Sequence, residues 1–545
     1  MGVAQASANP PPADSSAGVE KYWLFLDSRP GTSAAAPEAR WTRPVARSYL
    51  RRLRERGIRP LVRSRWLHAV SARLSPSAYN AVAALPFVRD LRPVASLESA
   101  SPSLHSGGPS VQQGSPDMLE GASAPLLQPG ASRGPLSHIN ALAPLRRGLD
   151  GHGVRVGFLD AHFGGLRHPA FSTLRAEGRL AALRTFTENR QSGTHGTGVA
   201  SVAVGYTPGL LVGPAYGATV LGATTEYTQY ERNVEEDNFV AGLEWLYRRG
   251  ADVVNVSIGY TRFDEGQRSY SPADLDGDTA ITTRAVDRAA QLGVTVVVSA
   301  GNSGCAAPDS CWFYVNTPAD ADSAITVGAV RPDSSLASFS SRGPTADGRR
   351  KPDVVVQGRG VPAAWEASRN AQARTGPVAQ ARSRYARVGG TSFASPQVSG
   401  IVAQMLQVNP SLSPMQIRRL LRQTASQAEH PDTTRGWGIV NANAAIRTAE
   451  WNARADPPDS LQVSAPYHEA ETTLTVPVSA PVRTATLRLS LHTPRGRRVR
   501  HVERYAHPGP NRLTLSVGSL PPGIYRYQVR TNAGHRRSGT VSLPN

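Results

Sequence analysis

One serine in this sequence stands where a turn of small residues meets the start of a helix. The turn is Gly390-Thr-Ser-Phe-Ala-Ser-Pro396, and apolar residues recur at helical spacing from Val398 to Leu406. Ser392 would therefore lie at a helix N-terminus, where free backbone N–H groups and the helix dipole stabilise negative charge. A hydroxyl placed there can attack a carbonyl and leave an oxyanion beside those groups. The same residues are also typical of a simple helix cap.

Three further polar residues stand at the ends of predicted strands or at the start of a predicted helix. Asp160 and Asn302 each follow an apolar run, and the motif Gly193–Gly198, which contains His195, precedes a run of alanine and valine. In an α/β sheet the carboxyl ends of the strands meet at one edge, so we expect these side chains to meet Ser392 there. Together they supply a nucleophile, a base, a carboxylate and an amide N–H donor.

The chain order Asp, His, Asn, Ser resembles that of the subtilisin-like serine peptidases. Two motifs carry the resemblance, Gly-Thr-Ser-Phe-Ala-Ser-Pro and His-Gly-Thr-Gly-Val-Ala, and it covers residues 21–450. It implies an α/β fold with a doubly wound, mostly parallel sheet. It also implies a secreted endopeptidase that is made as a self-processing zymogen and needs no cofactor.

The same resemblance assigns a role to each of the four residues. Ser392 is the nucleophile, and His195 takes its proton and passes it to the leaving amine. Asp160 fixes the tautomer of His195 and stabilises the imidazolium. Asn302 donates a side-chain N–H to the oxyanion, beside the backbone N–H of Ser392.

The resemblance also implies two backbone walls around one substrate side chain. Ser257, Ile258 and Gly259 form one wall and pair with the substrate as an added strand. The opposite wall consists of Ser299, Ala300 and Gly301. The implied partners are protein or peptide substrates and the chain's own propeptide, and we expect a monomer.

One residue departs from the family pattern. Where the family has a small residue and then glycine after the catalytic aspartate, this chain has Ala161 and His162. A second histidine there could compete for the carboxylate of Asp160. It is the one observation that favours an alternative function, a catalytically impaired relative acting as a surface binding protein.

The composition limits which partners and which cellular compartment we expect for this protein. The net charge is +19, and since the chain has two lysines, 58 of its 60 basic residues are arginine. These arginines are spread over every segment without a nucleic-acid motif, so we predict no nucleic-acid partner. No apolar run approaches the ~18 residues that span a bilayer, and no signal peptide is visible at Met1. We expect a secreted or cell-surface protein.

One short run of the sequence could form a disulfide, and another could bind a metal. Cys305 and Cys311 are the two cysteines, and a local disulfide is favoured over free buried thiols in a secreted protein. Asp274, Asp276 and Asp278 put carboxylates at alternate positions, which could hold calcium. Their glycine is misplaced for an EF-hand loop and no glutamate follows at the required spacing, so a solvated helix-capping loop is the favoured interpretation.

The chain divides into five predicted parts. Residues 1–20 are rich in alanine, proline and serine and predict disorder. Residues 21–95 alternate as βαββαβ, a ferredoxin-like order, and resemble a subtilase propeptide that assists folding and inhibits the enzyme. Residues 96–137 predict a linker and 138–450 the catalytic domain.

The C-terminal part, residues 457–545, switches to a two-residue alternation of apolar and polar side chains. This pattern predicts a small antiparallel β-sandwich. The segments around Gly523-Ile-Tyr525 and Gly539–Leu543 resemble the C-terminal sorting domains of type IX secretion and also generic immunoglobulin-like modules. Sorting or surface attachment and a plain stabilising role therefore both stay open.

Overall fold

The fold is described from a computed structural model of the chain. It describes residues 20–27, 44–94, 127–187, 193–227, 230–304, 312–365, 384–455, 461–463, 466–470, 473–480, 486–505, 509–532 and 534–543. Cys305 and Cys311 lie outside the described residues, so their predicted disulfide stays a prediction. The same holds for the predicted disorder of residues 1–19. Within the described ranges, no helix combines the length and apolar character that a membrane crossing needs.

The N-terminal module contains the predicted βαββαβ order. Its elements are β1 (Glu20–Leu26), α1 (Arg47–Glu55), β2 (Arg63–Ser64), β3 (Ala69–Leu74), α2 (Pro76–Ala83) and β4 (Val88–Val94). The strands form an antiparallel sheet in the order β2-β3-β1-β4, as in a ferredoxin-like fold. Ser75 caps α2 by accepting a hydrogen bond from Ala78 N at 3.2 Å, followed by proline at the first helical position.

The central part alternates strands and helices around one sheet. Its elements are α3 (Arg133–His138), α4 (Leu142–Arg146), β5 (Arg155–Asp160), α5 (Ser172–Ala176), β6 (Leu180–Thr185), α6 (His195–Val204), β7 (Tyr206–Thr207), β8 (Leu211–Val212), β9 (Thr219–Thr224), α7 (Val234–Arg248), β10 (Val253–Val256), α8 (Ile281–Gln291), β11 (Thr295–Ser299), β12 (Ile325–Val330), β13 (Val354–Gln357), β14 (Arg359–Ala364), β15 (Tyr385–Gly389), α9 (Ser395–Val408), α10 (Pro414–Gln423) and α11 (Ala442–Ala455).

The seven strands of the main sheet are parallel throughout, in the order β13-β12-β11-β10-β5-β9-β6. Strands β5, β10 and β11 are buried along their whole length, which explains their near-continuous apolar sequences. Helices α6, α9 and α11 pack on one face of the sheet, and α7 and α8 pack on the other. The predicted doubly wound α/β sheet is therefore confirmed.

The predicted linker ends earlier than residue 137. Gly130 bridges Leu211, and Ala131 N donates to Leu210 O at 3.0 Å. Leu136, in helix α3, is 2 % exposed and belongs to the main core. The glycine-, serine- and proline-rich composition is typical of a linker and does not indicate this structure. Residues 127–137 are instead ordered by contacts with residues more than 70 positions away in the sequence.

The N-terminal module lies against helix α7 of the central part. The carboxylate of Glu244 accepts hydrogen bonds from Ser64 Oγ at 2.5 Å and from Arg65 N at 3.3 Å. Two turns earlier, the buried carboxylate of Asp237 pairs with Lys21 Nζ and accepts from Trp23 Nε1. Buried carboxylates are tolerated here because each one meets several donors from the module.

The C-terminal part is a sandwich of two antiparallel sheets. Its strands are β16 (Gln462–Val463), β17 (Tyr467–Ala470), β18 (Thr473–Ala480), β19 (Thr486–His492), β20 (Arg498–Tyr505), β21 (Gly509–Ser516), β22 (Gly523–Thr531) and β23 (Arg536–Leu543). One sheet contains β16, β17, β18 and β21, and the other has the order β20-β19-β22-β23. Leucines and valines from both sheets share one core. The predicted β-sandwich is confirmed, whereas its proposed sorting role stays a prediction.

Candidate active site

The predicted base and its carboxylate meet at the edge of the main sheet. Asp160 is the last residue of β5 and is fully buried, and His195 is the first residue of α6. Their Nδ1 and Oδ1 atoms lie 2.6 Å apart. Because Nδ1 faces the carboxylate, Nε2 of His195 is the ring nitrogen left for a substrate or nucleophile.

The environment of His195 sets its proton affinity. Burial opposes its charged form, but the charge of Asp160 and the hydrogen bond to it outweigh burial and raise the pKa of His195. The ring of Phe393 lies beside it, with the ring centroids 5.6 Å apart. The imidazole of His195 therefore packs against Phe393, the residue that directly follows Ser392.

Ser392 lies in a short 3₁₀ turn, Thr391–Phe393, which runs into α9. Its side-chain hydroxyl donates to the carbonyl oxygen of Ser257 at 3.2 Å. Its own carbonyl accepts from Ser257 Oγ at 2.9 Å, and Asn255 Nδ2 donates to that hydroxyl at 2.8 Å. This buried network fixes the backbone of Ser392, since its donors and acceptors are satisfied in one arrangement.

The amide of Asn302 has an orientation that its neighbours dictate. Its Oδ1 accepts from Thr391 N at 2.9 Å and from Thr391 Oγ1 at 3.0 Å. A backbone N–H can only donate, so the atom facing it must be the oxygen and the Nδ2 donors point the other way. Asn302 is exposed, and its Nδ2 lies beside Gly390 at the turn that carries Ser392.

The two predicted walls extend from neighbouring strands. Ser257, Ile258 and Gly259 follow β10, whereas Ser299 ends β11 and Ala300 continues its pairing by donating to Val327 O at 2.9 Å. Ile258 and Gly259 are half-buried, whereas Ser257, Ser299 and Ala300 are buried. The structure therefore places the side chain of Ser257 under Ser392, and leaves Ile258 and Gly259 closer to the surface.

Asn316 lies between these walls and was missed by the sequence analysis. A Cβ on Gly259 would lie 3.0 Å from the Asn316 Cβ, and one on Gly301 would lie 2.7 Å from its Oδ1. Gly301 has a φ of 107°, a conformation that glycine adopts readily. Among the described residues, no hydrogen-bond donor meets the buried Oδ1 of Asn316. No local sequence motif indicates Asn316, because its loop contacts the two walls only once the chain has folded.

His162 does not displace His195. Asp160 Oδ1 binds His195 and also accepts from Ala161 N at 2.7 Å. The buried ring of His162 packs against Gly193, where an added Cβ would lie 2.4 Å from its Cδ2 atom. The observed pairing of Asp160 with His195 removes the main support for the impaired-relative alternative.

The run of aspartates that could hold calcium uses its carboxylates locally. Asp274 accepts from Ser271 N at 2.7 Å, and Asp276 accepts from Asp278 N at 2.9 Å and Thr279 N at 2.7 Å. These are turn and capping contacts, which fits the helix-capping interpretation. Calcium binding at this run stays a prediction.

A different acidic group lies beside the predicted triad. Carboxylate oxygens of Glu226, Glu231 and Glu235 all lie within 4.8 Å of one another. Thr225 N donates to Asp160 O at 3.0 Å, which places this segment next to β5. Tyr260 Oη donates to Glu226, and burial, with added repulsion from nearby carboxylates, raises the pKa of Glu226 to about 8. Burial and the neighbouring carboxylates therefore favour the protonated form of Glu226 well above the pH at which an ordinary glutamate ionises.

Replacing Glu226 by glutamine should stabilise the fold at high pH and leave it unchanged at low pH. The folded pKa, about 8, exceeds the unfolded value of about 4.3, so wild-type stability is full below that lower value and declines as pH rises through about 8. In a Ser392→Ala background, Glu226→Gln should raise Tm by more than about 2 °C at pH 9 and by less at pH 4. A gain of equal size at both pH values, or one matched by the exposed control Glu429→Gln, contradicts this account.

Comparison with known proteins places this arrangement in a family. Residues 151–438 match the model of the subtilase family, which is more than half of the chain. The chain belongs to the subtilase family. Residues 42–106 match the peptidase S8 propeptide domain of Bacteroidota. The N-terminal module is therefore a propeptide domain of this subtilase.

Two relatives agree with that assignment, and one solved structure shares the fold. The subtilase is 32% identical over 318 residues to subtilisin Savinase of Lederbergia lenta, covering 57% of this chain and 97% of that protein. It is 29% identical over 330 residues to serine protease AprX of Bacillus subtilis, covering 57% and 70% of the two chains. Fervidolysin from Fervidobacterium pennivorans, a keratinolytic enzyme related to subtilisin, shares the fold with a TM-score of 0.56 at 18% identity, over 98% of this chain and 92% of that one.

Proposed function

We propose that this subtilase is a serine endopeptidase whose nucleophile is Ser392. The observation that carries the proposal is the 2.6 Å contact between Asp160 Oδ1 and His195 Nδ1 beside the turn that holds Ser392. A histidine oriented in this way presents Nε2 as a base of raised pKa. Hydrolysis of casein by the purified chain, lost in His195→Ala, is the basic test.

The reaction begins with a change in one side chain. Ser392 Oγ donates to the Ser257 carbonyl, so rotation about its Cα–Cβ bond must turn the hydroxyl to His195 Nε2. His195 then takes the proton as Oγ attacks the substrate carbonyl, and Asp160 stabilises the imidazolium. His195 returns that proton to the leaving amine, and water releases the acyl group from Ser392 by the same route.

The oxyanion formed in each step needs donors that are already aimed at it. Asn302 Nδ2 fits this role because Thr391 holds the oxygen of the same amide. The Ser392 backbone N–H at the start of the helical turn is the second donor. Donors fixed before reaction stabilise the transition state without reorganisation at the moment of bond making.

Asn302→Ala should lower kcat by about 10²–10³ with a small change in KM, since the donor acts mainly on the transition state. That scale is the one measured for the corresponding asparagine of subtilisin. Asn302→Asp keeps the acceptor for Thr391 and removes the donor, so it should lose as much. Normal turnover in either variant would assign the oxyanion to other groups.

Asn316 should limit the substrate side chain that the pocket between the two walls accepts. Its side chain lies against Gly259 and Gly301, so Asn316→Gly would open space between the walls. The kcat/KM ratio for peptides with phenylalanine rather than alanine before the cleaved bond should rise about tenfold or more. Retained activity on the alanine peptide controls for damage to the fold, and an unchanged ratio would place Asn316 outside the pocket.

We also propose that the propeptide domain inhibits the enzyme until it is removed, and that the enzyme acts outside the cell or at its surface. The contacts of Glu244 and Asp237 with the module support a stable docked state. Cell fractionation followed by activity measurement tests the compartment. Activity confined to the cytosolic fraction would contradict it.

A further inference from the structure

The outer face of one sheet in the C-terminal sandwich is unusually basic. Residues 457–545 contain 12 arginines and four acidic residues. In the sheet β20-β19-β22-β23, Leu487, Leu489 and Val529 point into the core. Residues between them in each strand point to solvent, because successive side chains alternate between the two faces.

The strand register aligns the outward arginines in two rows across the sheet. Arg488 is paired with Glu503 on one side and Arg530 on the other, and Arg530 is paired with Arg536. The second row contains Arg498, His492, Arg526 and Thr540, and it lies four residues further along β19, β22 and β23 and five further along β20, where the register shifts. All five arginines are exposed. We call these two lines the arginine rows.

A row of polar residues lies between the arginine rows. It contains His501, Gln528 and Ser538, with the buried Ser490 between His501 and Gln528, paired strand by strand. Adjacent strands are about 4.8 Å apart and each row lies about 7 Å from the next along the strands. The face therefore presents a polar track about 14 Å wide between two lines of cations.

The charge of this face is poorly balanced by the protein itself. Glu503 pairs with Arg488, and it is the one acidic side chain on the described outer face. Guanidinium groups bind carboxylate and sulfate oxygens through two parallel N–H donors. Serine, glutamine and histidine along the track can bind hydroxyl groups.

We propose that this face binds an anionic polysaccharide, with its sugar hydroxyls on the polar track and its carboxylates on the arginine rows. A nucleic acid fits less well, because Tyr525 and Tyr527 point into the core, and the arginine rows and the track between them contain no phenylalanine, tyrosine or tryptophan for base stacking. A lipid surface also fits less well, because Ile524 is the one exposed apolar side chain of the described face and the track is polar.

Binding of polygalacturonate, which carries a carboxylate on each sugar, tests the proposal. The full-length chain with Ser392→Ala is used to prevent self-digestion, at about 0.15 M salt, where the Debye length is about 8 Å. The triple variant Arg526→Gln, Arg530→Gln, Arg536→Gln removes three cations of the rows. The control triple Arg495→Gln, Arg497→Gln, Arg537→Gln removes three exposed cations of the same domain that lie off the rows.

The face triple should weaken polygalacturonate binding at least about tenfold, and the control triple less than about threefold. Neutral dextran should not bind. If both triples weaken polygalacturonate binding equally, the attraction depends on net charge alone and the proposal is wrong. Absence of binding by the Ser392→Ala parent chain would also overturn it. If the parent chain binds single-stranded DNA, or vesicles of phosphatidylglycerol and phosphatidylcholine, more tightly than polygalacturonate, the choice of partner is wrong. Circular dichroism confirms that both triples remain folded.

Discussion

Ser392→Ala should abolish peptide-bond hydrolysis while the protein stays folded. The hydroxyl is the proposed nucleophile, because Ser257 fixes the Ser392 backbone in the turn whose next residue, Phe393, packs against the His195 ring. In subtilisin, removal of the catalytic serine lowers kcat by about 10⁶, and we carry that scale over from this relative. The loss of a buried hydroxyl should cost about 1 kcal/mol of stability. Casein hydrolysis and a thermal melt measure the two quantities.

Ser395→Ala is the matched control for this experiment. Ser395 lies three residues further on in the same motif, and its hydroxyl is 3.0 Å from that of Ser257. Its hydroxyl is fully buried in the network under Ser392 and has no proposed role in the reaction, so this variant should keep most of its activity. Comparable loss in both variants would mean that damage to the buried network, and not removal of a nucleophile, stops hydrolysis.

The wild-type chain should remove its own propeptide, whereas Ser392→Ala should remain at full length. The order of a propeptide domain, a linker and a catalytic domain puts the linker at high effective concentration near the active site. From Gln128 onwards the backbone is bound to the catalytic domain, since Gln128 O accepts from Gly209 N at 2.8 Å. The cut should therefore fall before residue 127, which shortens the chain by roughly 95–126 residues.

Intact mass spectrometry of both proteins from one host measures this processing. Wild type should be found as the shortened catalytic form, and Ser392→Ala should retain the propeptide domain on α7. Mixing a trace of active enzyme with Ser392→Ala distinguishes cutting within one molecule from cutting between molecules. If Ser392→Ala alone is trimmed at the same bond, a host protease makes the cut and self-processing is wrong.

The sequence predicted the parts of this fold that local pattern controls. The β5, β10 and β11 strands are apolar along their length because both faces of the sheet are covered. The four proposed catalytic residues lie in short motifs at strand ends and helix starts. At such positions the local backbone geometry restricts the residue types, so the sequence indicates the geometry. Asp160 ends β5 and His195 begins α6, and their side chains lie 2.6 Å apart.

The parts that were missed depend on contacts between distant segments. Asn316 meets Gly259 and Gly301 through a loop, and nothing in its neighbouring residues signals that position. The edge strand β6 carries exposed residues and lacks the apolar run of the central strands. The arginine rows arise from strand register, which the spacing of arginines along the chain does not reveal. Each feature becomes visible once the tertiary arrangement is known.

Labelling with a fluorophosphonate probe, which reacts with activated serines, tests the central claim most directly. The processed wild-type enzyme should gain one probe adduct, located on the tryptic peptide Val388–Arg418 at Ser392. Ser392→Ala should gain none, and His195→Ala should react far more slowly because its serine lacks a base. Labelling of Ser392→Ala at the wild-type rate, or an adduct on any other serine of that peptide, would contradict the assignment of Ser392 as the nucleophile.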